Sequence, residues 1–196
     1  RFQRTRGVLR LMSSVVHALW IAQDAAPMIM PGTVPLDVAT VASEITQYLP
    51  DSWKPIIDTD IDGRGSTPLR IDGERAVLGG RMVTRRLART IFMGSAPTLR
   101  SAHRGIERQR IWLGTAVPGD VVGNFGSALD LLGQRATYLY ADTNRWWFDT
   151  QASVTRTAAD YADTLRDRPE EVWAEIRRRL VPHGRRRGAF AAVIPG

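Results

Sequence analysis

The 196-residue sequence contains no cysteine, which excludes disulfides and thiolate metal sites. It has one lysine, Lys54, followed at once by Pro55. No G-x-x-x-x-G-K-[ST] loop is present, so no lysine can cradle the β- and γ-phosphates of a nucleotide, and this chain alone is not expected to hydrolyse ATP. There is no H-E-x-x-H and no G-x-S-x-G, and the histidines at 17, 103 and 183 have no ligand partners beside them. No catalytic residue and no metal ligand is therefore assigned. No apolar run approaches the roughly 20 residues of a membrane span, and the first is broken by Arg10, Ser13, Ser14 and His17. A membrane partner is not expected. Repeats and low-complexity tracts are also missing.

What the chain does have is arginine. Of its 27 basic residues all but Lys54 are Arg, against 20 acids, for a net charge of +7. Such a bias reflects a GC-rich genome or a polyanionic partner. The apolar fraction of 43% suffices for a core in one large or two small domains. The chain opens on Arg1 rather than Met, and reads as a piece of a longer protein.

Periodicity predicts an amphipathic helix over residues 4–21. Val8, Leu9, Met12, Val15, Val16 and Leu19 are its expected buried face, with Arg6, Arg10 and His17 on the other side. Three prolines and a glycine in "APMIMPGTVP" break it. "LDVATVASEITQYL" is a second helix, with Asp37 as its candidate cap. Residues 51–75 read as an Asp/Gly/Pro-rich loop with a short helix near Trp53. A long helix follows from about 74 to 92, burying Val83, Leu87 and Ile91, with Arg81, Arg85 and Arg89 nearly opposite. "ERQRIWLGTAV" alternates as a strand would, placing Ile111 and Leu113 on one face. Val122, Phe125, Leu129 and Leu132 have helical spacing, and "ATYLYADTNRWWFDT" reads as a β-hairpin around Asp142-Thr143-Asn144. Helices near 153–166 and 170–181 and an apolar strand, "AFAAVIPG", close the chain. Pro169 suits the first turn of the last helix.

Two segments invite a binding function. In "DTDIDGRGSTPL", Asp58, Asp60, Asp62 and Gly63 match the early positions of a calcium loop, but Leu69 stands where the bidentate glutamate belongs, so calcium is not assigned. The order helix, strand, helix and hairpin at 74–149 resembles a winged helix, which lays one helix in the major groove and the wing along the backbone. Arg104, Arg108, Arg110 and Arg145 are the candidate phosphate contacts, with Arg100 nearby. The helix at 120–133 carries no basic residue, which favours protein packing over base reading. "RRRLVPHGRRRG" near the end holds six arginines and reads as a solvated helix end and loop.

"FQRTRGVLRLM", "ALW", "RTIFMGSAP", "RGIERQRIWLG" and "ATYLYADTNRWWFDTQ" together resemble large bacterial AAA+ ATPases of a conserved domain-of-unknown-function family, encoded beside methyltransferases in phage-defence gene clusters. The resemblance spans residues 2–165. It implies a P-loop core preceding this region in the same polypeptide, with ATP and Mg bound there and none by this fragment alone. Gly7-Val8-Leu9-Arg10 is similar to the Gly-x-x-Arg that opens the lid helix of initiator-type AAA+ proteins. The implied nucleotide-sensing residue is Arg10, with Arg6 one turn away as its substitute. An always-charged fork suits two phosphate oxygens. The expected fold class is α+β and mostly helical: a lid-like segment at 1–50, the loop at 51–75, a winged-helix-like domain at 76–150, and C-terminal helices with the start of a following region at 151–196. Cytoplasmic location, DNA and other defence-system proteins complete the expectations. A stand-alone winged-helix DNA-binding protein and a helical interaction scaffold are the alternatives.

Overall fold

The computed structural model describes residues 2–24, 26–98 and 103–183. The chain divides into two units, Arg1–Ser153 and Val154–Gly196. The described part is mostly helical with one small antiparallel sheet, an α+β arrangement.

The first unit opens with α1 (Phe2–Ile21), which packs on α2 (Ala39–Thr46). A 3-10 turn, Pro31–Thr33, lies between them and is wedged against later helices. The expected loop at 51–75 is largely helical: α3 (Trp53–Ile56), a π-helical turn at Ile57–Ile61, and α4 (Thr67–Glu74). Pro68 sits in the first turn of α4, where a missing N–H costs nothing, so a proline of the expected loop starts a helix.

The expected long helix from 74 to 92 is two helices, α5 (Ala76–Gly79) and α6 (Val83–Ser95). Met82 separates them in the left-handed region (φ 49°). Periodicity alone does not reveal such a break. Val83, Leu87 and Ile91 are buried as predicted. Asp72 accepts hydrogen bonds from the Thr84 and Arg85 N–H groups (3.0 Å each), satisfying the start of α6 from a different helix.

After a 3-10 turn (Ala96–Thr98) comes β1 (Ile106–Glu107). The expected strand at 107–117 is instead α7 (Arg108–Thr115). Ile111 is buried and Leu113 is 71% exposed, so the two residues assigned to one strand face point apart on a helix. α8 (Asn124–Arg135) is a single helix, unbroken at Gly126. Phe125, Leu129 and Leu132 are buried, while Val122 lies outside the helix and is exposed. The hairpin forms as predicted, β2 (Leu139–Asp142) and β3 (Arg145–Phe148), with Thr143 at φ 51° in its turn. β3 is central, giving the sheet order β1-β3-β2, all antiparallel. Gly105 precedes β1 at φ +83°, and a Cβ there would press on the Trp146 carbonyl oxygen at 2.7 Å, so both conformation and space demand glycine.

α6 is the axis of this unit. Its sides meet the 3-10 turn at Pro31–Thr33, α4, α7, α8 and β3. Trp53 packs on Phe92 and Trp112 lies edge-on to Phe125, each at 5.6 Å between ring centres. The second unit is a helical hairpin, α9 (Val154–Arg166) and α10 (Pro169–His183). The apolar strand expected at 189–196 and the arginines at 185–187 lie outside the described residues.

Candidate functional site

α1 has three faces. Leu11, Val15, Ala18 and Leu19 pack inward. Val8, Leu9, Met12, Val16 and Trp20 form a second apolar stripe that is open, with Leu9 64% and Trp20 75% exposed. Of the expected buried face, only Val15 and Leu19 go inward. The helix carries more apolar residues than one contact can cover, and the inward stripe sits about a quarter turn away from the one the sequence favours. Arg6, Arg10 and His17 share the third, exposed face.

Arg10 meets Glu44 of α2 at 2.6 Å, with its own side chain 65% exposed. An exposed pair of this kind contributes about 0–1 kcal/mol, so it orients the guanidinium without holding it. Arg6 has no ion pair among the described residues. Gly7 has a packing reason of its own: a Cβ there would come 2.8 Å from the Tyr48 hydroxyl.

The four candidate phosphate contacts gather near β1 but differ in what they do. Arg145 uses its whole fork inside the protein. Its Nε donates to the Arg104 carbonyl (2.8 Å), one terminal nitrogen to the Gly105 carbonyl (2.8 Å), the other to Glu107 (2.9 Å). It pins β1 to β3. Arg104 reaches Asp149 at 3.2 Å and stays half exposed. Arg108 lies over the Trp112 ring at 5.1 Å, a cation–π contact. Arg110 is exposed and unpaired among the described residues. The hairpin aromatics are spent on packing: Tyr140 stacks on Trp147 at 5.7 Å, and its hydroxyl donates to the Gln151 and Ala152 carbonyls. On the exposed side of α8, Asp130 is the charge in mid-helix, and Arg135 pairs with Glu74 at 2.5 Å.

Sequence reasoning missed what the arginines around α6 do. Arg85 and Arg89 both donate to Asp62 Oδ1 (2.5 and 2.8 Å) and both reach Asp37 (3.0 and 3.2 Å). The Asp37 N–H donates to Asp62 Oδ2 at 2.8 Å. Asp37 is thus an ion-pair partner rather than a helix cap. Arg81 and Arg86 hold Asp120 at 2.7 and 2.8 Å, and Arg86 also donates to the Thr115 carbonyl. Burial pushes the Asp62 carboxyl up, against the pull of Arg89 and Arg85. Every group on its oxygens is a donor, so the carboxylate is the form that fits. Burial raises Asp60 and Asp72 as well. For Asp120 burial also pushes upward, but hydrogen bonds from Arg86, the Val117 N–H and Arg81 outweigh it and hold the carboxyl below its usual range.

Of the calcium-like aspartates, Asp60 and Asp62 are engaged in the fold, while Asp58 is exposed. Asp60 accepts from the Thr67 hydroxyl (2.9 Å) and the Tyr138 N–H (2.7 Å), tying the π-helical turn to the entry of β2, while Asp62 carries the arginine network. Among the described residues no group of three His, Cys, Asp or Glu side chains is placed to hold a metal ion. No helix among them is long and apolar enough to cross a membrane. Comparison with protein-family models, curated proteins and solved structures found no match to this chain.

Proposed function

We propose that this chain is the lid and docking region of an AAA+ ATPase of anti-phage defence, coupling the nucleotide state of a P-loop core in the same polypeptide to a winged-helix-like module. The observation that carries the reading is the three-faced α1. One face is anchored on α2, a second is apolar and open, and the third presents Arg6 and Arg10 to solvent. A lid helix needs all three: an anchor, a seat on the core, and a cation that reaches the γ-phosphate. The loose Glu44 contact suits Arg10 to a switch. Its guanidinium exchanges one carboxylate for phosphate oxygens at little cost, and loss of the γ-phosphate returns it. The order α6, β1, α7, α8, β2, β3 with β3 central supports the winged-helix-like part of the proposal. The chain itself performs no chemistry, and ATP and Mg would be held by the core.

The module's surface favours a protein over DNA as its partner. α8 offers no unpaired cation among its described residues, and Arg145 is committed to β1. DNA contact remains the second reading, resting on Arg108 and Arg110 in the exposed first turn of α7. Nucleotide turnover of the polypeptide containing the P-loop core, measured for Arg10→Ala beside wild type, tests the first reading. Salt-dependent DNA binding of Arg110→Ala tests the second.

A further inference from the structure

The stretch that imitates a calcium loop forms one wall of a cavity of about 650 Å³, and α2 forms another. That is the size of a small-molecule site rather than of an ion site. Leu36, Ala39, Ala42 and Ile57 give the cavity an apolar lining, and among the described residues no aromatic ring lines it. Ile57 and Asp58 begin the π-helical turn at Ile57–Ile61, and single π-helical turns are frequent at functional sites. Two glycines shape the wall. A Cβ on Gly63 would collide with the Asp58 carbonyl and carboxylate oxygens, so glycine there lets the Asp58 carboxylate lie against the loop. A Cβ on Gly65 would meet nothing within 4 Å, and the φ of Gly65 is not positive. Neither packing nor backbone calls for glycine at that point, and the room beside it is left open.

The charges around the cavity sort its ligands. Asp37 and Asp62 are neutralised by Arg85 and Arg89. Lys54 pairs with Asp51 at 2.8 Å. Asp58 and Arg64 are both exposed, and among the described residues neither has an ion pair. They line the same cavity without meeting each other. The cavity thus offers one unmatched charge of each sign. A purely anionic ligand would set a like charge beside Asp58, and a purely cationic one would do the same to Arg64. A divalent cation would find a single unmatched carboxylate with Lys54 and Arg64 beside it, fewer oxygens than such an ion takes. A nucleotide base would find no ring to stack on. A zwitterion satisfies both charges at once. Its carboxylate takes the guanidinium fork of Arg64, and its ammonium takes the Asp58 carboxylate. The apolar lining suits an aliphatic side chain on that zwitterion.

We infer that this cavity binds a free aliphatic α-amino acid between Asp58 and Arg64. The inference stands apart from the nucleotide-sensing proposal and needs no P-loop core. Isothermal titration of the whole chain with L-leucine is expected to give a Kd of about 1 mM or below. 4-Methylpentanoate, which lacks the ammonium, and 3-methylbutylamine, which lacks the carboxylate, should each bind at least tenfold more weakly. Arg64→Ala and Asp58→Asn should each weaken leucine by a similar factor, since each removes a charge-assisted contact. Both side chains are exposed and unpaired, so both variants should melt as the wild type does. The variants also sort the two ends of the ligand. In Asp58→Asn leucine should bind no better than 4-methylpentanoate, and in Arg64→Ala no better than 3-methylbutylamine. Ala39→Trp, at an exposed position of α2 on the cavity wall, should block leucine by filling the space. Arg10→Ala should leave leucine binding unchanged. A wild-type chain that takes up no leucine at about 10 mM would overturn the inference. So would either single-charged analogue binding as tightly as leucine, or leucine binding unmoved by Arg64→Ala and Asp58→Asn.

Discussion

Helices α1 and α6 both carry arginines one turn apart, and the protein treats them in opposite ways. Beside and along α6, Arg81, Arg85, Arg86 and Arg89 fold back on Asp37, Asp62 and Asp120, with the Arg86 and Arg89 side chains only 8% and 9% exposed. On α1, Arg6 stands free among the described residues and Arg10 touches one glutamate from a mostly exposed position. The same side chain at the same spacing is therefore structural in one helix and available in the other. The difference lies in the acids. The aspartates near α6 come from elements that the fold brings against it, whereas α1 has no acid of its own and, among the described residues, pairs only with Glu44.

The largest effect that separates the two helices should come from Asp62→Ala. It leaves the Arg85 and Arg89 guanidiniums with only Asp37, and removal of one side of a buried ion-paired cluster costs about 3–5 kcal/mol. Urea denaturation should show that loss; a variant as stable as wild type would mean the α6 arginines are as dispensable as those of α1. Ile91→Ala, at the buried centre of the same helix, should cost about 2–5 kcal/mol through transfer and cavity.

A smaller effect separates the aspartates by pH. Asp120 is held below the usual carboxylate range, so its contribution is present above the unfolded value and is lost as pH falls through the folded one. Asp60 and Asp72 have the opposite sign. Their folded values are raised by burial, so their contribution is full below the unfolded value and fades as pH rises toward the raised one. The destabilisation caused by Asp120→Asn should therefore shrink as urea titrations move from neutral pH into the acid range. A penalty that is constant with pH would contradict the Arg86–Asp120 account.

Much of this was legible in the residues. The stripe Val83, Leu87 and Ile91, the aromatic hairpin, and the last two helices follow from periodicity and turn chemistry. The failures have identifiable causes. "RQRIWLGT" offers alternating polarity over too few residues to distinguish a strand from about two helical turns, and tertiary contact of Ile111 and Trp112 with the core decided for helix. The break at Met82 depends on Asp72 capping α6 across space, which no local window contains. The role of Arg85 and Arg89 required knowing that Asp37 and Asp62, 23 to 52 residues away, arrive at their tips.

The smallest stability effect is expected at α1. Glu44→Gln frees Arg10 and should leave the melting midpoint nearly unchanged, because an exposed pair contributes at most about 1 kcal/mol. In DNA binding, Arg110→Ala should flatten the salt slope by about one unit if α7 touches phosphate, whereas Arg145→Ala should act on stability by releasing β1. No DNA binding at low salt would leave the protein-docking reading alone.

The most direct test of the central proposal is ATP turnover and ATP binding, measured together, in a polypeptide that joins this chain to the proposed P-loop core. Catalytic arginines on a γ-phosphate contribute about 10³ or more in rate, and a lid arginine contributes less than that ceiling. Arg10→Ala should cut turnover far more than it weakens binding, and Arg10→Lys should restore only part, since an ammonium lacks the fork. Wild-type turnover in both Arg10→Ala and Arg6→Ala would contradict the account and reduce the third face of α1 to a solvated surface.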